Sequence, residues 1–332
     1  MRPYNARVRP TPWILSITLL ATPFAAALAQ TDDHEEDDRR YQERLTQPTP
    51  APVTRESIIA AADRLVRDSK DFTSKSTAHW QVRTDDPSVD AAASAQLLES
   101  FRTWFESFWK GRLTMTPNED LGRVYVFGSF HDYNQLLTGG ALHGAFRPAG
   151  HYNLITDVVA LYLGSIPRGG LPDTLVHEGA HMLFARGVLR GRPTAPWLAE
   201  GLAMYFESTA RDGKGGFETG AVGGRGAKDR LRDVKRLLDA KPPWSVDALL
   251  RSDDPAAFYG EGVAGNYAAS WVLAHALFHA EGGKHAEAFA KYIEAAASSG
   301  TADADALYAA MGLDAAGLTA LVATHARTID PR

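Results

Sequence analysis

Apolar positions recur with a helical period through most of the chain and alternate with polar ones in a few short runs. Behind Thr54, a good helix N-cap, Ile58, Ile59, Ala62, Leu65 and Val66 predict a helix. Leu97, Leu98, Phe101, Trp104, Phe105 and Phe108 lie on one side of a longer helix over 91–109. His79 to Thr84, Arg123 to Phe127, His151 to Asn153 and Val158 to Leu163 read as strands, the last expected at the sheet edge. After residue 170 the period is helical almost throughout, over 172–187, 195–209, 227–240, 245–251, 264–281, 284–297, 303–311 and 314–326. Gly and Pro punctuate these segments. The expected fold class is α+β, a small mixed sheet followed by a mainly helical C-terminal lobe.

The segment Arg211 to Lys228 breaks the pattern with Gly213, Gly215, Gly216, Gly220, Gly223, Gly224 and Gly226. Glycine-rich turns cradle phosphates, but no Gly-Lys-Ser/Thr follows and no strand is expected before it, so a phosphate loop is excluded. The expectation is a mobile surface loop, placed to act as a lid over a nearby site.

Composition narrows the chemistry. The chain has 332 residues, 45% of them hydrophobic, with a formal net charge of −5 and no cysteine. That balance suits a globular protein and lacks the basic excess of a nucleic-acid binder. Without cysteine there is no disulfide scaffold, thiol nucleophile, thiolate zinc site or iron–sulfur cluster. Arg2, Arg7 and Arg9 precede the apolar stretch Trp13 to Ala27, and Ala27-Leu28-Ala29 fits a small-x-small cleavage site. This reads as a signal peptide over 1–29 and predicts an exported protein, periplasmic or secreted, with no stable membrane insertion after cleavage. An uncleaved anchor is the other reading; the stretch falls short of the ~20 apolar residues of a spanning helix. A charged and Pro-rich segment over 30–53 has too little apolar surface to order itself. The expected division thereafter is an α+β lobe over 54–187 and a helical lobe over 188–332.

His177-Glu178-Gly179-Ala180-His181 places an H-E-x-x-H pattern inside an expected helix that opens with Pro172. Spacing i to i+4 puts both imidazoles on one side, one turn apart, within reach of a single ion. Glu178 lies about 100° round the helix, suited to the ion's water rather than to the ion. A bound metal lowers the pKa of its water toward ~7, and the carboxylate takes the proton. Tetrahedral catalytic zinc wants a third protein ligand and an open position. Trp197-Leu198-Ala199-Glu200-Gly201-Leu202-Ala203 begins a second helix, and the turn over 188–193 would fold it back so that Glu200 faces the histidines.

HEGAH followed by the Glu of WLAEGLA resembles the gluzincin metallopeptidases, and the spacing and W-x-x-E-G-x-A context are similar to the aminopeptidase N family. The pattern also resembles small exported bacterial proteins with a peptidase-like domain. The likeness covers about residues 150–208. It implies a zincin-type active-site helix and one zinc per chain held by His177, His181 and Glu200, with Glu178 as general base. It also implies a downstream tyrosine donating to the oxyanion, for which Tyr267 is the candidate and Tyr259 the reserve.

Two departures qualify the likeness. Aminopeptidases of that family carry an upstream Gly-x-x-Glu-Asn segment, whereas no acid occurs between Asp132 and Asp157, and Gly144 to Pro148 is the nearest counterpart. An endopeptidase acting on peptide or protein substrates is therefore favoured over an aminopeptidase. Met204 stands where some gluzincins place an Asp that orients a histidine; Glu207, on roughly the same helix face, is the candidate instead. His275 and His279 share a face with His285 close by, and are expected to be helix-surface histidines rather than a second metal site. A non-catalytic envelope or secreted binding protein that keeps a metal-stabilised fold is the competing functional reading.

Overall fold

The computed structural model describes residues 60, 64 and 72–331, apart from 139–147, 213–214, 242–243, 253–254 and 261. The leader, the acidic segment, the Gly144 to Arg147 stretch and nearly all of the helix expected after Thr54 lie outside the described residues.

Five strands form the main sheet: β1 (Thr73–Ser76), β2 (Trp80–Thr84), β3 (Gly122–Phe127), β4 (Gly150–Asn153) and β5 (Val158–Tyr162). Their spatial order is β1-β2-β3-β5-β4. The inner strands β2, β3 and β5 run parallel, while β1 and β4 pair antiparallel at the two edges. All five residues of β5 are buried, because both sheet faces are covered. Val159 and Leu161 join Val124 and Val126 in the larger core. Val158, Ala160 and Tyr162 join Tyr125 and Phe127 beneath Phe130, Tyr133 and Leu136 of the helix Phe130–Thr138. The edge beside β5 is thus β4, which corrects the expectation that Val158 to Leu163 is the edge: a continuously apolar strand belongs inside a sheet.

The helix α1 (Ala91–Trp109) is capped by Asp90, whose carboxylate accepts from the backbone N–H of Ala92 and Ala93. It lays Leu98, Phe101, Phe105 and Trp109 into the core, where Phe105 and Phe108 pack on Phe206. The helix Phe130–Thr138 is α2. Next come α3 (Leu171–Phe184), a π-helical turn over Ala185–Leu189, and α4 (Pro196–Glu207). A two-stranded sheet follows, β6 (Thr209–Arg211) with β7 (Phe217–Val222).

This small sheet corrects the reading of Arg211 to Lys228 as an irregular loop. It is held in place: Trp104 stacks on Phe217 with centroids 5.1 Å apart and donates from Nε1 to Thr219 Oγ1 at 3.1 Å. The strand β6 has only three residues and β7 runs Phe-Glu-Thr-Gly-Ala-Val, so no regular alternation announces them. The remainder is helical: α5 (Ala227–Leu238), α6 (Val246–Leu250), α7 (Pro255–Tyr259), α8 (Val263–His279), α9 (Ala286–Ser299), α10 (Ala304–Met311) and α11 (Ala315–Ala326). One buried apolar cluster runs from Trp80 to Ala326 and includes residues of the sheet and of these helices. Among the described residues, no single helix is long and apolar enough to cross a membrane.

Candidate metal centre

The helix α3 starts with Pro172 in its first turn and is buried on nearly every side. Gly179 explains how it lies so close to α1: a Cβ there would stand 2.9 Å from Leu98 Cδ2. The helix α4 crosses α8 just as closely at Gly201, where a Cβ would meet the Ser270 carbonyl oxygen at 2.7 Å. Two glycines, each adjacent in sequence to a carboxylate of the site, set the helix spacings on which the site depends.

At the meeting of α3 and α4, His177 Nε2 and His181 Nε2 lie 3.2 Å apart. Glu200 Oε2 is 3.4 Å from the first and 3.5 Å from the second. Ligands around a tetrahedral ion with bonds of ~2.0–2.1 Å are about 3.3–3.4 Å from one another, so the three donors outline one face of such a shell. Glu200 Oε2 is buried yet has no hydrogen-bond partner. A buried carboxylate oxygen without a donor is costly unless a cation completes it. His177, His181 and Glu200 therefore fit a metal ion, and among the described residues they are the group of His, Asp and Glu side chains close enough to hold one. His177 and Glu200 are buried, and the His181 side chain is 19% exposed, which marks the side open to solvent.

Glu207, the candidate for orienting a histidine, does reach one. Its Oε2 lies 2.9 Å from His177 Nδ1, and its Oε1 accepts from Arg230 Nη2 at 3.0 Å. Arg230 also donates to Ser208 Oγ. Arg230 was not foreseen, since a lone arginine in a charge-rich helix carries no pattern that separates it from its neighbours.

Electrostatics follow from these contacts. Burial disfavours a charged His177, but Glu200 and Glu207 on either side outweigh it and push its pKa up to about 10 without a metal. Burial likewise opposes ionisation of Glu207, and Arg230 with His177 overcomes it, bringing its pKa down to about 2. Glu200 is held below the usual carboxylate range because His181 and His177 outweigh its burial. Glu178 differs: burial raises its pKa, only partly countered by the two histidines. Gly150 makes room for it, since a Cβ there would be 3.3 Å from Glu178 Cγ. Glu178 is thus set between the metal helix and the edge strand β4.

Tyr267 on α8 is buried and donates a hydrogen bond to the Glu200 carboxylate, its phenol pKa raised by burial first and by that carboxylate second. Tyr259 on α7 donates to Glu200 Oε1 at 3.0 Å, so both tyrosines lie at the third donor.

The expectation of helix-surface histidines at 275 and 279 is corrected. His275 is buried, with Nδ1 2.8 Å from His325 Nε2, and His279 is half-buried, with Nε2 2.8 Å from Tyr205 Oη. The cover comes from α11 and α4, which are distant in sequence. His285 is also buried, with Nε2 3.4 Å from Glu281 Oε2.

Residues 173–302 match a family described as a protein of unknown function, DUF1570. The matched span contains His177, Glu178, His181, Glu200, Glu207, Arg230, Tyr259 and Tyr267. A search of the curated proteins finds no match to the chain.

Proposed function

We propose that this protein is an exported zinc-dependent hydrolase that cleaves internal peptide bonds. The observation that carries the reading is the convergence of His177, His181 and Glu200 on one point, with Glu178 unligated beside it. A purely structural site has no use for that fourth group. Two imidazoles and one carboxylate are a donor set that suits zinc and leaves a coordination position for solvent.

When bound, the ion supplies Lewis acidity, lowering the pKa of water toward ~7 and polarising a carbonyl. The chain's own groups do the rest. Glu178, its basicity raised by burial, takes the proton of the attacking water and passes it to the departing amine. Glu207 accepts from Nδ1–H of His177 and so keeps the Nε2 lone pair aimed at the donor set. The Tyr267 phenol, held protonated, donates to the substrate oxygen as negative charge builds on it. The edge strand β4 offers backbone groups along which an extended peptide can pair, giving weak preference from the strand itself. Absence of an acid between Asp132 and Asp157 supports an endopeptidase over an aminopeptidase. The export part of the reading is supported by the leader-like pattern before Ala29.

The test compares wild type with Glu178→Gln for zinc content and for hydrolysis of casein and quenched peptides. One zinc per chain in both proteins is expected, with hydrolysis about 10²–10⁴-fold slower in the variant. Equal rates would remove Glu178 from the mechanism. Zinc binding without hydrolysis of any peptide library would favour a metal-stabilised binding protein.

A further inference from the structure

The two oxygens of Glu200 have different neighbours. Oε2 faces the Nε2 atoms of His177 and His181 and has no hydrogen-bond donor. Oε1 accepts a 3.0 Å hydrogen bond from the Tyr259 phenol. A carboxylate has two oxygens and can bind an ion through either or both, and binding through both would fill the position that a hydrolytic site must leave open.

Tyr259 is held in place by contacts that do not involve the donor atoms. The preceding residue, Phe258, is fully buried and packs on Tyr267 with ring centroids 5.9 Å apart. Its carbonyl accepts from Asn266 Nδ2 at 2.7 Å, which ties the short helix α7 to the start of α8. The Tyr259 ring lies 6.3 Å from that of Tyr267.

We propose that Tyr259 is a positioning residue that holds Glu200 as a one-oxygen metal ligand. It acts on metal affinity and coordination number through Glu200. The assignment rests on the metal-site reading above, but it is independent of whether the substrate is a peptide.

The experiment uses the full chain and compares wild type, Tyr259→Phe and Tyr267→Phe. Zinc affinity is measured by competition with a chromophoric chelator, and visible absorption is recorded for the cobalt-loaded proteins. Peptide hydrolysis is followed at saturating zinc. Tyr259→Phe is expected to weaken zinc binding about 10–100-fold. It should also reduce the intensity of the cobalt bands, as the freed Oε1 raises the coordination number. Its kcat at saturating zinc should fall as well, because the second carboxylate oxygen takes the position that solvent needs. Tyr267→Phe should keep the intensity of the cobalt bands, because Tyr259 still holds Oε1, while losing about 10²–10³-fold in kcat.

Unchanged zinc affinity and unchanged cobalt spectra in Tyr259→Phe would overturn the assignment, and so would the reverse pattern between the two variants. Asn266→Ala keeps both phenols and loosens α7; a weaker zinc affinity in that variant too supports the role of the helix anchor. If wild type binds zinc but cleaves no peptide, the peptidase reading fails, while the affinity and spectral results still decide the role of Tyr259. A wild type that binds no zinc would overturn both.

Discussion

His177 Nδ1 lies 2.9 Å from Glu207 Oε2, and the other oxygen of that carboxylate is 3.0 Å from Arg230. The contact orients the ring: with its Nδ1–H donating to a carboxylate, the imidazole presents Nε2 to the donor set. Because Arg230 neutralises Glu207, a negative charge can stay buried behind His177 whether or not an ion sits at Nε2.

Glu207→Ala should therefore do two separable things. It should weaken zinc binding by about 10–100-fold, and it should destabilise the fold by about 3–5 kcal/mol because Arg230 is left buried without its carboxylate. Urea unfolding and chelator competition read the two effects. Glu207→Gln, which keeps an acceptor oxygen, should lose less stability than the alanine variant.

Gly201→Ala adds one carbon where α4 meets α8, 2.7 Å from the Ser270 carbonyl. A backbone oxygen cannot swing aside as a side chain can, so the two helices must separate. The expected loss is about 1–3 kcal/mol. Since Glu200 precedes Gly201 on α4 and Tyr267 lies one turn before Ser270 on α8, the proposed hydrolysis should fall as well. Wild-type stability in this variant would show that the crossing is more pliant than its geometry implies.

The histidines between α4, α8 and α11 predict a pH dependence of stability. Burial, with His279 and His325 close by, lowers the His275 pKa to about 3. Burial, His325 and the Arg112 cation lower that of His279 to about 4, and burial lowers that of His325. Tyr205 and the backbone of Gly220 complete the surroundings. These rings bind protons more readily in the unfolded chain, where the ordinary value is about 6.5. Their contribution to stability is therefore intact above about pH 6.5 and falls as pH drops toward 4 and then 3. Urea midpoints between pH 8 and pH 4.5 should decline, and His279→Gln should flatten the slope. An identical slope in that variant would place the pH dependence elsewhere.

Removing the proposed ion with a chelator should lower the melting temperature. An ion that binds only the folded chain adds about 2.7 kcal/mol at a free concentration one hundred times its Kd. Calorimetry with and without a chelator measures this. His181→Ala should show little response to the chelator, because one of the three donors is gone.

The parts of the site that were legible in the residues are those governed by helix periodicity. His177, Glu178 and His181 lie within five positions of one helix, so their relative placement is local geometry and needs no knowledge of the rest of the fold. Glu207 was legible for the same reason, being two helical turns from Glu200. The strand β2 showed in its alternation of Trp80 and Val82 with Gln81 and Arg83, and β3 and β5 in their apolar runs. By contrast β1 and β6 are short and polar and β7 has no regular alternation, and their pairing depends on partners that no local pattern reveals.

Sequence alone thus determined which residue types could bind a metal and which helix would carry two of them. Only the tertiary structure decided that Glu200 Oε2 stands 3.4–3.5 Å from both imidazoles, that β4 rather than β5 is the edge strand, and that His275 is buried. Each of those results is a contact between segments far apart in the chain. Such contacts are set by how whole helices and strands pack, here through the close approaches at Gly179 and Gly201, and not by the spacing of residues within any one element.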